Sequence, residues 1–542
     1  MVQESFDRGD DAMVDPRGRW QAAAPSRRDQ HRWGYCPVRM NDSHDVRRPW
    51  PPDLDRGIHL TTIDEVDTLW AEIPGPFTAA LKFRVGRADE TLASAGVTHV
   101  AEHLALDRFE GRTDFDPNGQ VEELFTVFFA SGRRELVGDF LTLLAQTLGD
   151  PPRGQLATVR QIVRQESDRP LALDHMMRTL RFGASTHGLP GLPQLGLARL
   201  TADDIGRWAR SWFTAANAVL VLSGPPPDGL RLPLPAGPWR PPPTSRPIAQ
   251  LTMPLARDWP FPVVGLSAMV TTKHPIAVPV GILRERLRRA LRTEKGLIYD
   301  IEETLAPLDA ETAHLSMTAE TTMDRAASVR DGIMVELDEL VRAGPSAEEL
   351  AVGVARAQET LDHPVDQGDL DYWATMRLLG AQAKTKALSL SERDALTAAD
   401  CQAVYRKIRE SAIMALPEGI SAPSDFASDD GSFGDVITGK LYKPTLRWLP
   451  FIEKRPLVVG EEGFAVIDRG GQFVVRYDDC VAWEIHSDGS RVGWRSDGGY
   501  LEFHPRAVSG GRDAIADLDR RIPPALHVPV DCADEATRQH SS

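Results

Sequence analysis

Hydrophobic spacing divides this chain into blocks with different periods. Residues 1–55 show none and are rich in Arg, Asp and Pro, which predicts a disordered leader, with Met40 an alternative start. Residues 79–85 and 125–129 read as strands, and 217–222 as a buried strand ending at Gly224. A 3.6-residue period predicts helices over 95–106, 135–148 and 156–168, the last stopped before Pro170. Thr201 and Asp204 form a capping box ahead of a further helix that carries Trp208, Trp212 and Phe213.

Pro-dense residues 225–247 interrupt the pattern, and 233–250 is taken as a stiff linker. Beyond it, 263–270 predicts a strand and 281–292 a helix closed by Gly296. Leu396-Thr397-Ala398-Ala399-Asp400 then echoes Leu200-Thr201-Ala202-Asp203-Asp204, and each echo precedes a helix, an apolar strand and a Gly. The helix of 96–106 would fall on 281–292. The expectation is an α+β fold with two related α/β halves, each a sheet packed against helices and closing as a clamshell. The halves are placed at 56–232 and 251–424. Short alternating strands over 456–503, with Gly-rich turns and a helix at 513–520, predict a small β-barrel-like domain at 435–528. Its strand count and terminal helix resemble pleckstrin-homology domains. Residues 529–542 read as a disordered tail.

A net charge of −16 argues against a nucleic-acid scaffold and mildly favours cationic or neutral ligands. No apolar run approaches membrane-spanning length, and no secretory h-region is visible. Cys36, Cys401, Cys480 and Cys532 form no paired motif, so a reducing cytoplasmic setting is expected.

The chemistry concentrates in His99-Val100-Ala101-Glu102-His103. On a helix His99 and His103 share a face and can grip one ion, while Glu102 lies near that face as a base toward water. Two imidazoles and one carboxylate suit zinc with a fourth position open. Glu166 follows the apolar face of its helix and is a candidate third ligand. It could equally be a helix-end Glu paired with Arg160 or Arg169, and Glu110 or Glu122 could complete the shell instead. His187, His274 and His363 have no partner at ligand spacing and read as ordinary histidines.

Gly96 to Leu104, with Arg160 to Glu166, resembles the signature of the pitrilysin, insulinase and mitochondrial-processing-peptidase superfamily. Arg292-Thr293-Glu294-Lys295-Gly296-Leu297-Ile298-Tyr299 is similar to its substrate-holding segment. The resemblance implies a zinc endopeptidase for unstructured peptides or presequence-like segments. His99, His103 and Glu166 would bind one Zn2+, and Glu102 would be the base. Arg292, Tyr299 and Asn118 would hold substrate. A homodimer, or pairing with a related chain, is also implied. The departures are a shorter span between His103 and Glu166, and Val159 where the family places a carboxylate that orients a zinc ligand. Losing that carboxylate would weaken metal binding or rate by about 10–100-fold. A weak or inactive homologue that binds peptides or scaffolds a partner is the alternative.

Overall fold

The computed structural model describes residues 49–530 other than 110, 112–114, 168–171, 246, 249–250, 273–274, 430–435, 446–454 and 469–470. The chain divides into a large unit drawn mainly from residues 45–430 and a smaller one from 431–495 and 499–536.

The large unit is built on two six-stranded sheets. In the first, β1 (His59–Ile63), β2 (Val66–Trp70), β3 (Phe77–Phe83), β4 (Phe115–Val121), β5 (Thr126–Gly132) and β6 (Ala218–Leu222) run in the order β1-β2-β6-β3-β5-β4. The second contains β7 (Leu255–Trp259), β8 (Val263–Thr271), β9 (Glu302–Pro307), β10 (Thr312–Glu320), β11 (Ile413–Pro417) and β12 (Ala427–Asp429), in the order β12-β7-β11-β8-β10-β9. The two orders superpose from β2 to β4 on β7 to β9. In both, one parallel pair (β2 with β6, β7 with β11) is followed by antiparallel pairs. Only the remaining edge differs, where β1 pairs antiparallel and β12 parallel. The chain is therefore α+β with two related halves.

Helices α1 (Val97–Leu106), α2 (Arg134–Gly149), α3 (Leu156–Ser167), α4 (Leu173–Phe182) and α5 (Ala202–Trp212) belong to the first half. Those of the second are α6 (Ala277–Leu287), α7 (Ala326–Ala343), α8 (Ala347–Glu359), α9 (Gln367–Leu379), α10 (Lys386–Asp394) and α11 (Ala398–Glu410). Both predicted capping boxes form, Thr201 with Asp204 at α5 and Thr397 with Asp400 at α11, and these helices lead to β6 and β11. On one face of the first sheet α1, α2 and α5 bury a core that includes Val100, Leu104, Leu141 and Ile205. Phe83, Phe128 and Phe213 meet there edge to face, each burial stabilising by about 1.5–3 kcal/mol.

The other face of each sheet is covered by a helix from the opposite half. Leu370, Trp373 and Leu378 of α9 pack on Leu69, Val219 and Val221 of the first sheet. Met177 of α4 packs on Trp259, Val263 and Ala415 of the second. Polar contacts pin the exchange. Arg181 donates to the Ser267 hydroxyl and carbonyl at 2.8 Å and to the Ser411 carbonyl at 2.6 Å. Lys82 meets Asp371 and Thr375 at 2.7 Å.

Three local expectations are revised. The helix expected at 281–292 begins at Ala277 and continues as a π-helical segment, Arg288–Glu294, because Pro279 falls in a first turn that does not need its N–H. The stiff linker expected at 233–250 is packed on both halves: Leu234 lies against the first core, and the Trp239 indole donates to the Leu378 carbonyl at 2.9 Å. Order also starts inside the expected leader, where Asp55 accepts from the Trp373 indole at 3.1 Å and from Lys386 N–H at 2.7 Å. Residues 1–48, with Met40, lie outside the described residues.

In the small unit, β13 (Gly439–Tyr442), β14 (Leu457–Gly460), β15 (Gly463–Asp468) and β16 (Gly471–Arg476) form one meander. β17 (Cys480–His486), β18 (Arg491–Arg495), β19 (Tyr500–Phe503) and β20 (His527–Val530) form a second sheet in the order β19-β18-β17-β20. Helix α12 (Gly511–Arg521) contributes Leu518 to a core with Phe464, Trp483 and Phe503. The expected barrel is not closed among the described residues: β16 pairs with β15, whereas β17 takes β18 and β20 as partners. Residues 529–530, assigned to the tail, end β20, and 531–542 lie outside the described residues.

Replacing Arg181 by Met removes the Arg181 donors from the buried Ser267 carbonyl and the half-buried Ser411 carbonyl. We expect a loss of about 2–4 kcal/mol in urea unfolding. A loss below about 0.5 kcal/mol would contradict the pinning role.

Candidate metal centre

Helix α1 starts at Gly96, which sits at φ +100° and offers no side chain to cap the helix. Glu90 supplies the cap from a distance. Its carboxylate accepts Gly96 N–H and Thr98 N–H, both at 2.8 Å. A buried anion at a helix N-terminus is favoured by the helix dipole, although burial raises its pKa. This fixes the rotation of the helix that carries both histidines.

Helical spacing then brings the Nε2 atoms of His99 and His103 to 3.3 Å. Glu166, on α3, reaches the same point: its Oε2 lies 3.2 Å from His99 Nε2 and 3.3 Å from His103 Nε2. Val159 and Val163 hold α3 in the first core. The Arg160 guanidinium donates to the Leu200 carbonyl, so it does not neutralise Glu166. Arg169 and Glu110 lie outside the described residues, and Glu122 lines a different cavity. Tetrahedral zinc with bonds of about 2.0–2.1 Å has ligand–ligand edges of about 3.3–3.4 Å. The three donor atoms stand at that separation, so the donor set fits such an ion.

The electrostatics agree with a metal-binding role. Burial and the neighbouring His103 hold His99 down at about 4, leaving it neutral and able to offer a lone pair. Glu102 is buried, with Oε2 3.7 Å from His103 Nε2. Burial and the charge of Glu166 push it up to about 8, suiting it to carry a proton. Glu102 rests against Gly119 of β4, where any Cβ would strike its Oε1.

Two residues here escape sequence reasoning. Glu90 had a visible signal, an acid just upstream of a helix whose N-cap is Gly. Gln194 had none, since Leu192-Pro193-Gln194 carries no periodicity. Its amide lies 3.3 Å from His99 Nδ1, and its Oε1 is buried without a partner. A lone pair on Nε2 needs the proton on Nδ1, which Gln194 can accept once its amide is turned so that Oε1 faces the ring. Gln194 thus places a polar group beside His99, which Val159 cannot do.

The other predicted residues stand apart. Asn118 is exposed on β4, and its Oδ1 accepts Gly119 N–H at 2.8 Å. In the second half, Arg292 lies over the Tyr299 ring at 5.2 Å and 3.9 Å from Asp300, and Tyr299 is 80% exposed. No contact joins either residue to the histidine pair among the described residues. His363, Asp366 and Asp369 form a second compact donor group, but the Lys386 ammonium sits 2.9 Å from Asp369 and occupies it. His187 is buried against Glu123 and the Pro243 carbonyl, and His274 lies outside the described residues.

No family model and no curated protein matches the sequence. Solved structures do match the fold. The inactive domain of a peptidase M16 from Pseudomonas fluorescens aligns with a TM-score of 0.56 at 15% identity, over 68% of this chain and all of that one. A protease from Helicobacter pylori gives 0.56 at 14%, over 67% and 100%. The chain has the M16 peptidase fold. The periplasmic protease PqqL from Escherichia coli gives 0.55 at 14% identity, over 78% of this chain and 56% of that one. Among the described residues no helix is long and apolar enough to cross a membrane.

Removing the distant cap by Glu90→Ala should cost about 1–3 kcal/mol and speed amide exchange at Gly96 and Thr98. Unchanged exchange at both amides would show that α1 does not depend on Glu90.

Proposed function

We propose that this protein is a zinc-dependent endopeptidase acting on unstructured peptides. The observation that carries the reading is the meeting of His99, His103 and Glu166 donor atoms at 3.2–3.3 Å with Glu102 beside them. Zinc bound there would supply Lewis acidity toward water and the scissile carbonyl. Glu102 takes the proton of the attacking water and hands it to the leaving amine, the role its raised pKa favours. Gln194 keeps His99 in the ligand tautomer. Glu90 holds the helix.

Substrate enters as an extended strand along β4, the edge of the first sheet. Gly119 N–H points to that open edge, because Glu122 N–H and the even-numbered positions face β5. Asn118 shields this N–H until a peptide carbonyl replaces it. Arg292 and Tyr299 stand on the surface of the second half and reach substrate from a facing subunit, which makes a homodimer, or a pair with a related chain, part of the proposal.

Glu102→Gln should lower kcat/KM for a quenched peptide by about 10²–10⁴-fold while zinc stays at one per chain. Full activity in that variant, or wild-type protein with no zinc-dependent cleavage, would defeat the proposal. Gln194→Ala should weaken zinc binding about 10–100-fold, and Gln194→Glu should restore it. Equal zinc affinity in all three proteins would remove Gln194 from the site.

A further inference from the structure

The chain holds three asparagines, and their surroundings differ. Asn41 lies outside the described residues. Asn217 is fully buried, and its amide donates to the Arg84 and Trp212 carbonyls at 2.9 Å. The next backbone N–H, that of Ala218, is held by the Ala215 carbonyl. Asn118 is exposed on β4, the edge of the first sheet, and it alone is followed by glycine.

Three conditions for attack by a backbone nitrogen on a side-chain amide meet at Asn118. The nucleophile is free of the ladder. Glu122 N–H pairs with the Phe125 carbonyl, so alternate amides face β5 and that of Gly119 faces the open edge. The nucleophile is close: Gly119 N lies 2.8 Å from Asn118 Oδ1, and Cγ is the atom bonded to that oxygen. It is also unshielded, because glycine sets no Cβ beside its nitrogen. An edge strand is paired on one side only, so positions 118 and 119 twist toward attack at less cost than an inner strand.

We propose that Asn118 is a site of spontaneous deamidation, which ages the edge where peptide binds. Gly119 N gives its proton to hydroxide and attacks Asn118 Cγ. The N–Cγ bond forms, the Cγ–Nδ2 bond breaks, and Nδ2 takes a proton from water and leaves as ammonia. Water then opens the cyclic succinimide. Opening at Cγ gives aspartate. Opening at the Asn118 main-chain carbonyl leaves Gly119 attached through Cγ, as iso-aspartate. Nothing is oxidised or reduced, and water is the co-reactant. Both products add a negative charge to the edge. Iso-aspartate also lengthens the main chain by one carbon, which displaces Gly119 and the Glu102 carboxylate resting against it. The chemical step stands on the strand geometry alone, and its effect on activity rests on the peptidase reading.

The test incubates the zinc-loaded full chain at mildly alkaline pH and follows the amide-to-acid mass shift by peptide mapping, with the urea-unfolded chain as the clock. Asn118 should convert in the folded chain, faster as pH rises, while Asn217 stays intact until the chain unfolds. Intact Asn118 in the folded chain after the unfolded chain has converted overturns the site. Cleavage of a quenched peptide, relative to each protein's starting rate, should fall in step with conversion in the wild type and hold in Asn118→Gln, whose longer side chain disfavours ring closure. An equal decline in both proteins overturns the ageing of the edge. If the fresh wild type cleaves no peptide, the peptidase reading fails, and the mass shift at Asn118 still decides the modification by its presence or absence.

Discussion

Two imidazoles and a carboxylate bring their donor atoms to within 3.3 Å of one another. Without a cation this arrangement is poorly compensated, and much of the surrounding architecture maintains it. Glu90 caps α1, the Val159 and Val163 face seats α3, and the Gln194 amide lies beside the Nδ1 of His99. The site is assembled from separate segments of the first half, and none of them is adequate alone. The absence of a carboxylate at position 159 does not leave His99 unsupported, because a neutral amide approaches from the other side of the chain. An amide is a weaker acceptor than a carboxylate, which predicts a site of reduced rather than absent affinity.

The two halves share a sheet topology but have diverged in chemistry. α6 occupies the place of α1 and carries no histidine, and its continuation winds as a π-helix. To the first half of its own chain the second half contributes support. It receives α4, the helix that follows the Glu166 helix, and lends α9 to the first sheet. Each half therefore buries the face that the other could not cover. Arg181, one of the largest fully buried side chains, spends its donors on backbone and hydroxyl acceptors of the partner half rather than on a surface carboxylate.

Locally encoded features were legible in the sequence. The His99/His103 spacing needs only helical geometry, and the capping boxes at Thr201 and Thr397 need only four residues each. The repeated box also foretold the repeated sheet order. What stayed hidden depended on distant contacts. Nothing near Gln194 announces a histidine 95 residues earlier. Exchange of α4 and α9 leaves no local mark, since an amphipathic helix does not say which half it covers. The Pro-rich segment read as a linker because proline density reports stiffness, whereas the packing of Leu234 and Trp239 depends on where the stiff segment is laid. The start of α6 at Ala277 was not legible, because a first-turn proline such as Pro279 and a helix-breaking one look alike in sequence. Strand alternation in the small unit was visible, but alternation does not reveal whether the last strand returns to close a barrel.

Zinc K-edge absorption spectroscopy of the protein loaded with one equivalent of zinc tests the central claim most directly. The account predicts a first shell of two imidazole nitrogens and oxygen donors at about 2.0–2.2 Å, with one imidazole lost in His103→Ala and an oxygen lost in Glu166→Ala. A shell containing sulfur, or one unaltered by both substitutions, would contradict it.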